Sequence, residues 1–132
     1  MRKLLLATTA IALSAGAVSA EDIKIGVILG FTGPIESLTQ QMGAAAEMAM
    51  AEVNASVALL DGSTLTSVRG DSTCIDAVAA TAVADRLITS DGVNGIIGAD
   101  CSGVTGAILS NVALANGIVT VSYTHLTLPT KA

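Results

Sequence analysis

Few residues in this chain are of a type that does chemistry, and they are unevenly placed. Of 132 residues there are two cysteines (Cys74 and Cys101), one histidine (His125) and one tyrosine (Tyr123). Carboxylates are more numerous, but no two are spaced as an acid/base couple. Two cysteines supply too few ligands for a zinc site. The other polar chemistry lies in three loops rich in Gly, Ser and Thr: Gly30–Ser37, Gly70–Asp76 and Gly98–Thr105. Such loops present backbone N–H groups and hydroxyls at helix N-termini, which suits a carboxylate or another small polar group.

His125 and Tyr123 fall in a segment unlike the rest. Val121-Ser-Tyr-Thr-His-Leu-Thr-Leu-Pro-Thr130 follows a strand-like run but starts no helix, and it holds one of the two prolines. The string reads like the conceptual translation of a transposon adapter used in sequencing libraries. Residues 122–132 are therefore expected to be foreign to the protein. Without them the chain has no His and no Tyr. A Ser–His–Asp or Cys–His arrangement cannot then be built, nor a His-based metal site. The expectation is a protein that is not an enzyme, with no catalytic residues, no metal and no cofactor.

The other end is also distinctive. Arg2 and Lys3 precede an apolar stretch, Leu4 to Leu13, relieved only by Thr8 and Thr9; small residues follow, ending Val18-Ser-Ala20. This is the layout of a secretory signal peptide over residues 1–20, cut after Ala20. The apolar core is too short for the roughly 20 residues of a spanning helix. Export to the periplasm is the expected fate. In an oxidising compartment a lone cysteine pair has one connectivity, a Cys74–Cys101 disulfide; two separate buried thiols are the alternative.

The full chain has a formal net charge of -5. Removing Arg2 and Lys3 from its 6 basic residues leaves 4 against 11 acidic ones, a net of -7. That charge argues against nucleic acid or an anionic membrane as partner. Length allows at most one compact domain. With no Trp, one Tyr and one Phe, the composition suits helices packed closely on a sheet better than a sandwich cored by aromatics.

The loops must be held by regular elements, and these alternate. Ile23–Leu29 is a short β-branched run, so a buried strand. Glu36 to Asn54 has helical spacing, with Leu38, Met42, Ala45, Ala49 and Val53 on one face and Gln40, Glu47 and Asn54 elsewhere. Asp61-Gly62 marks a turn. Thr64–Arg69 reads as a second strand. Asp76 is a good N-cap for a second helix ending near Asp91-Gly92, with Ala80, Val83, Ala84 and Leu87 inward and Thr81, Asp85 and Thr89 outward. Val93–Gly98 is a third strand. A third helix runs from Gly103 to Asn116, with Val104, Ile108, Val112 and Ala115 inward and Gly117 closing it. Ile118–Val121 opens a fourth strand.

The order β-α-β-α-β-α-β implies an α/β fold with a doubly wound parallel sheet. Ligands bind such sheets beyond the carboxyl ends of the strands, where the three loops lie. Gly26, Gly30 and Gly33 lack the G-x-G-x-x-G spacing of a dinucleotide fold, and a flavodoxin-type domain would normally stay in the cytoplasm.

Four segments carry a family resemblance. Ile23-Lys-Ile-Gly-Val-Ile-Leu-Gly-Phe-Thr-Gly-Pro34 resembles the opening strand and loop of type I periplasmic solute-binding proteins, the receptors of ABC importers in the branched-chain amino acid class. Gly43-Ala-Ala-Ala-Glu-Met-Ala-Met-Ala-Glu-Val-Asn54 is similar to their first helix. Arg69-Gly-Asp-Ser-Thr-Cys-Ile-Asp76 and Ile97-Gly-Ala-Asp-Cys-Ser-Gly-Val-Thr105 are similar to their next two ligand-side loops. The resemblance covers residues 23–121.

It implies two lobes that close on a ligand like a hinge, with residues 21–121 forming the first part of the N-terminal lobe and the second lobe absent. It also implies a disulfide between Cys74 and Cys101. Ser102, after the second cysteine, would contact a ligand carboxylate, with Gly103 beside it and Thr105 one turn on; a simple N-cap is the plainer role for Ser102. The family often has an aromatic near Ser37–Thr39, where this chain has Ser-Leu-Thr and only Phe31 is close. If the solute carries an ammonium group, Glu36 or Asp100 would face it; an ordinary solvated carboxylate is the plainer role for each. The implied function is a periplasmic receptor, monomeric when full length, that captures an amino acid or amide-like solute and delivers it to the membrane permease of an ABC importer. A sensory ligand-binding domain of a receptor or regulator is the alternative.

Overall fold

The computed structural model describes residues 20–59 and 62–122. The segment expected to be a signal peptide, up to residue 19, Asp61 of the expected turn and the tail from residue 123 lie outside them. In chain order the elements are β1 (Asp22–Leu29), α1 (Glu36–Ser56), β2 (Thr64–Asp71), α2 (Ala77–Thr89), β3 (Gly95–Gly98), α3 (Ser102–Ile108) and β4 (Val119–Val121). A π-helical turn, Leu109–Ala113, prolongs α3.

The strands form one sheet in the order β2-β1-β3-β4, and each neighbouring pair is parallel. The order reverses beside β1: the chain steps out to β2, then crosses back to β3. The crevice between the ends of β1 and β3 is thus the place where an open α/β sheet receives a ligand. β2 runs two residues past the expected Arg69, because Gly70 and Asp71 still pair with Ile28 and Leu29. β3 begins two residues later than expected; the Asn94 side chain instead accepts the Lys24 amide at 3.0 Å.

Strand alternation divides β1 between two cores. Val27 and Leu29 face α1, with Met50 against them and Ile25, Phe31, Met42, Ala46, Leu65 and Ile97 around. Ile28 faces α2 and α3, in a core with Ala80, Ala84, Leu87, Val93, Ile96, Val104 and Ile108. The inward face expected for α2 is the one observed, and Asp76 Oδ1 caps the helix by accepting from the Val78 and Ala79 amides at 2.9 and 3.0 Å.

Two helix faces differ from expectation. On α1, Leu38 is 63% exposed and the buried residues are Thr39, Gly43 and Met50. Polar and small groups, rather than the widest apolar stripe, choose this face. A Cβ on Gly43 would stand 2.8 Å from the Phe31 ring, so only glycine lets helix and ring approach so closely. At the far end, the Asn54 amide brackets β2: its oxygen accepts the Leu65 amide at 2.8 Å and its nitrogen donates to the Leu65 carbonyl at 2.9 Å. After α3, the π-turn inserts an extra residue, seen as Leu114 N–H donating to the Leu109 carbonyl at 3.1 Å. The inward position therefore moves from Ala115 to Ala113, which is fully buried.

Candidate ligand-binding site

The three Gly-, Ser- and Thr-rich loops meet at the carboxyl edge of the sheet, and each pair is tied directly. Loops one and two are joined by Asp71, which accepts from the Thr32 amide at 3.2 Å and the Thr32 hydroxyl at 2.5 Å. Gly33 lies against the same turn. Its φ is +95°, and a Cβ there would stand 2.7 Å from the Thr73 carbonyl oxygen, so this approach also requires glycine. Loops two and three are joined by the Cys74–Cys101 disulfide, with Cα atoms 5.3 Å apart. Loops one and three are joined by Asp100, whose Oδ2 accepts the Gly30 amide at 2.9 Å.

Charge at this edge is fixed by hydrogen bonds. Burial opposes the Asp71 charge, but the Thr32 hydroxyl and the Thr73, Thr32 and Phe31 amides together outweigh it and hold the carboxyl below the ordinary range. Beside it, Arg69 grips Glu47 through Nε at 2.6 Å and Nη2 at 2.9 Å. That bidentate bond lowers the Glu47 carboxyl. The same guanidinium stacks over the Phe31 ring, 5.0 Å from its centroid.

The site residues named from sequence separate into groups. Ser102 is exposed at the first position of α3. It is not a cap: Cys101 is the N-cap residue, and no side chain caps the helix. Among the described residues the Ser102 hydroxyl has no hydrogen-bond partner. Gly103 is exposed beside it, and no heavy atom lies within 4 Å of where its Cβ would be. The first-turn amides of α3 have no acceptor within the helix. Thr105 points the other way. It is 2% exposed, and its hydroxyl is within reach of the Ala99 carbonyl at 3.1 Å and the Cys101 carbonyl at 2.9 Å. Phe31 packs on Gly43 and Arg69 at the α1 side of the sheet. Glu36 lines a separate shallow hollow with Gly33, Pro34, Ser37 and Gln40.

Several residues that build the site were not singled out from sequence. Ser72 is fully buried, accepts the Cys74 amide at 3.3 Å and lies 3.5 Å from Asp100 Oδ1. Thr39, also fully buried, donates to the Gly30 carbonyl at 2.8 Å. Ser122 donates to the Ala99 carbonyl at 2.6 Å, joining the end of β4 to loop three. Among the described residues no group of three or more His, Cys, Asp or Glu side chains is placed to hold a metal, and no helix is long and apolar enough to cross a membrane.

A parallel sheet whose order reverses beside β1, with the three loops at its carboxyl edge cross-linked, defines a lobe of the doubly wound α/β class. The family model described as "Periplasmic binding protein" matches residues 22–132. The chain belongs to that family. It is 38% identical over 104 residues to Leu/Ile/Val-binding protein homolog 7 of Brucella abortus (strain 2308), covering 78% of this chain and 25% of the relative. It is 37% identical over 86 residues to the Leu/Ile/Val-binding protein of Escherichia coli (strain K12), covering 65% and 23%. Among solved structures it resembles the branched-chain amino acid transporter substrate binding protein LivJ from Streptococcus pneumoniae, determined in complex with isoleucine. The TM-score is 0.68 and the identity 28%, over 76% of this chain and 28% of that one. The chain thus spans about a quarter of the length of these relatives.

Proposed function

We propose that the protein is the periplasmic solute receptor of an ABC importer. It captures a branched-chain amino acid or a similar small polar solute between this lobe and a second one, and hands it to a membrane permease. It acts by binding and carries out no reaction. One observation carries the reading: Ser102, at the head of α3 and beside the switch point, presents a hydroxyl that has no partner among the described residues, next to the open first-turn amides of Ser102 and Gly103. That arrangement suits a carboxylate, which gains charge-assisted hydrogen bonds from such donors. The names of the Brucella and Escherichia relatives and the isoleucine in the Streptococcus structure support the choice of solute.

The test is titration calorimetry on the intact receptor with a panel of amino acids, amides and small organic acids. A branched-chain amino acid is expected to bind, and Ser102→Ala to weaken it about tenfold, the loss of one hydrogen bond to a charged group. The melting temperature of that variant should match the wild type. A receptor that responds to no member of the panel overturns the reading.

A further inference from the structure

Asp100 is the carboxylate nearest Ser102 in the chain, yet it is already engaged within the protein. Its Oδ2 accepts the Gly30 amide at 2.9 Å, and its Oδ1 lies 3.5 Å from the Ser72 hydroxyl. Both partners are buried. Each begins a loop: Gly30 follows β1 and Ser72 follows β2, while Asp100 itself lies just past β3. The links continue outward. The Gly30 carbonyl takes the Thr39 hydroxyl at 2.8 Å, and Ser72 Oγ takes the Cys74 amide at 3.3 Å. One side chain therefore gathers the ends of three parallel strands around the switch point.

We propose that Asp100 is a positioning residue: its carboxylate holds Gly30 and Ser72, and so sets where Ser102 stands, instead of reading the ammonium group of the solute. This rests on the reading of Ser102 as a ligand contact. A buried amide needs an acceptor, and removing that acceptor leaves an unpaired polar group in the interior. Gly30 and Ser72 take one acceptor site on each oxygen, so an ammonium would have to share a carboxylate that already fixes the ends of two loops. Recognition of the amino group then falls to other residues of the intact receptor, and this lobe supplies the grip on the carboxylate.

The test compares Asp100→Asn with Asp100→Ala in the intact receptor, measuring leucine affinity and hydrogen exchange at the Gly30 amide. Asparagine keeps an oxygen that accepts the Gly30 N–H but carries no charge. Positioning predicts that Asp100→Asn binds leucine within about threefold of wild type and keeps Gly30 protected. It predicts that Asp100→Ala exchanges Gly30 faster and binds about tenfold more weakly. An Asp100→Asn variant that loses tenfold or more in affinity with Gly30 still protected overturns the proposal, because the charge itself would then be what leucine needs. Unchanged Gly30 exchange in Asp100→Ala overturns it too. If wild type does not bind leucine, the solute reading fails, and Gly30 exchange in the two variants still decides the role of Asp100.

Discussion

Asp71, the last residue of β2, holds Thr32 by both its amide and its hydroxyl, at 3.2 and 2.5 Å, across 39 residues of sequence. It also accepts the Thr73 amide at 2.8 Å. One carboxylate therefore shapes its own turn and anchors the neighbouring loop, and its charge is what makes the acceptor strong.

That relationship predicts an acid sensitivity with a definite sign. The folded Asp71 and Glu47 carboxyls both lie below their ordinary values. Each therefore adds stability that is present above the unfolded value of about 4 and is lost as pH falls through the folded value. Glu47 and its Arg69 partner are more than one-third exposed at their side chains on average, so solvent screening leaves Asp71 the larger effect. Thermal melts of wild type and Asp71→Asn should differ most near neutral pH and converge below about pH 4. A gap that stays constant from pH 7 to pH 3 overturns the assignment.

The disulfide closes a span of 27 residues. By the chain-entropy model, a loop of that size is worth about 3–4 kcal/mol. Replacing both cysteines by serine should lower the urea midpoint by that equivalent. It should also weaken solute binding, because Ser102 directly follows the cross-link. Reductant should destabilise wild type to the same degree and leave the double variant unaffected.

Thr39→Val removes the side-chain hydroxyl that donates to the buried Gly30 carbonyl without much change in volume. The expected cost is about 1–3 kcal/mol in urea denaturation, the penalty for an unpaired buried acceptor. Thr39→Ser should recover most of it. Equal losses in the two variants would mean that the methyl group, not the hydrogen bond, matters.

Residues 21–121 expressed alone should aggregate or melt broadly. On the α1 side of the sheet, Ile25, Met50, Leu65, Ile97, Val119 and Val121 line an open apolar hollow. Val119 and Val121 are 69% and 61% exposed on an edge strand. Uncovered apolar surface beside an unpaired edge promotes association. Light scattering and calorimetry decide the matter: a monomer with a sharp, cooperative transition would count against the expectation.

The element order, the parallel sheet and the inward face of α2 were legible in the sequence. Short β-branched runs, helical spacing and the Asp76 cap are local signals, and burial of a strand or helix face leaves a repeat in the residues themselves. The face of α1 was not legible by that route. Its orientation is set by a ring over Gly43, a hydroxyl at Thr39 and an amide at Asn54, and each of these finds its partner on another element. The shift from Ala115 to Ala113 followed from one extra residue in a turn, which periodicity does not register.

The site shows the same division. Sequence by itself determined which loops meet at the carboxyl edge, because parallel connectivity places the ends of β1, β2 and β3 there, with Ser102 and the cysteine pair among them. Only the tertiary structure decided what each side chain does. Thr105 turns inward, Ser102 stands open, and Asp100 meets Gly30 across 70 residues. A hydrogen bond depends on the distance and direction between two groups, and for groups so far apart along the chain those quantities exist only once the sheet has assembled.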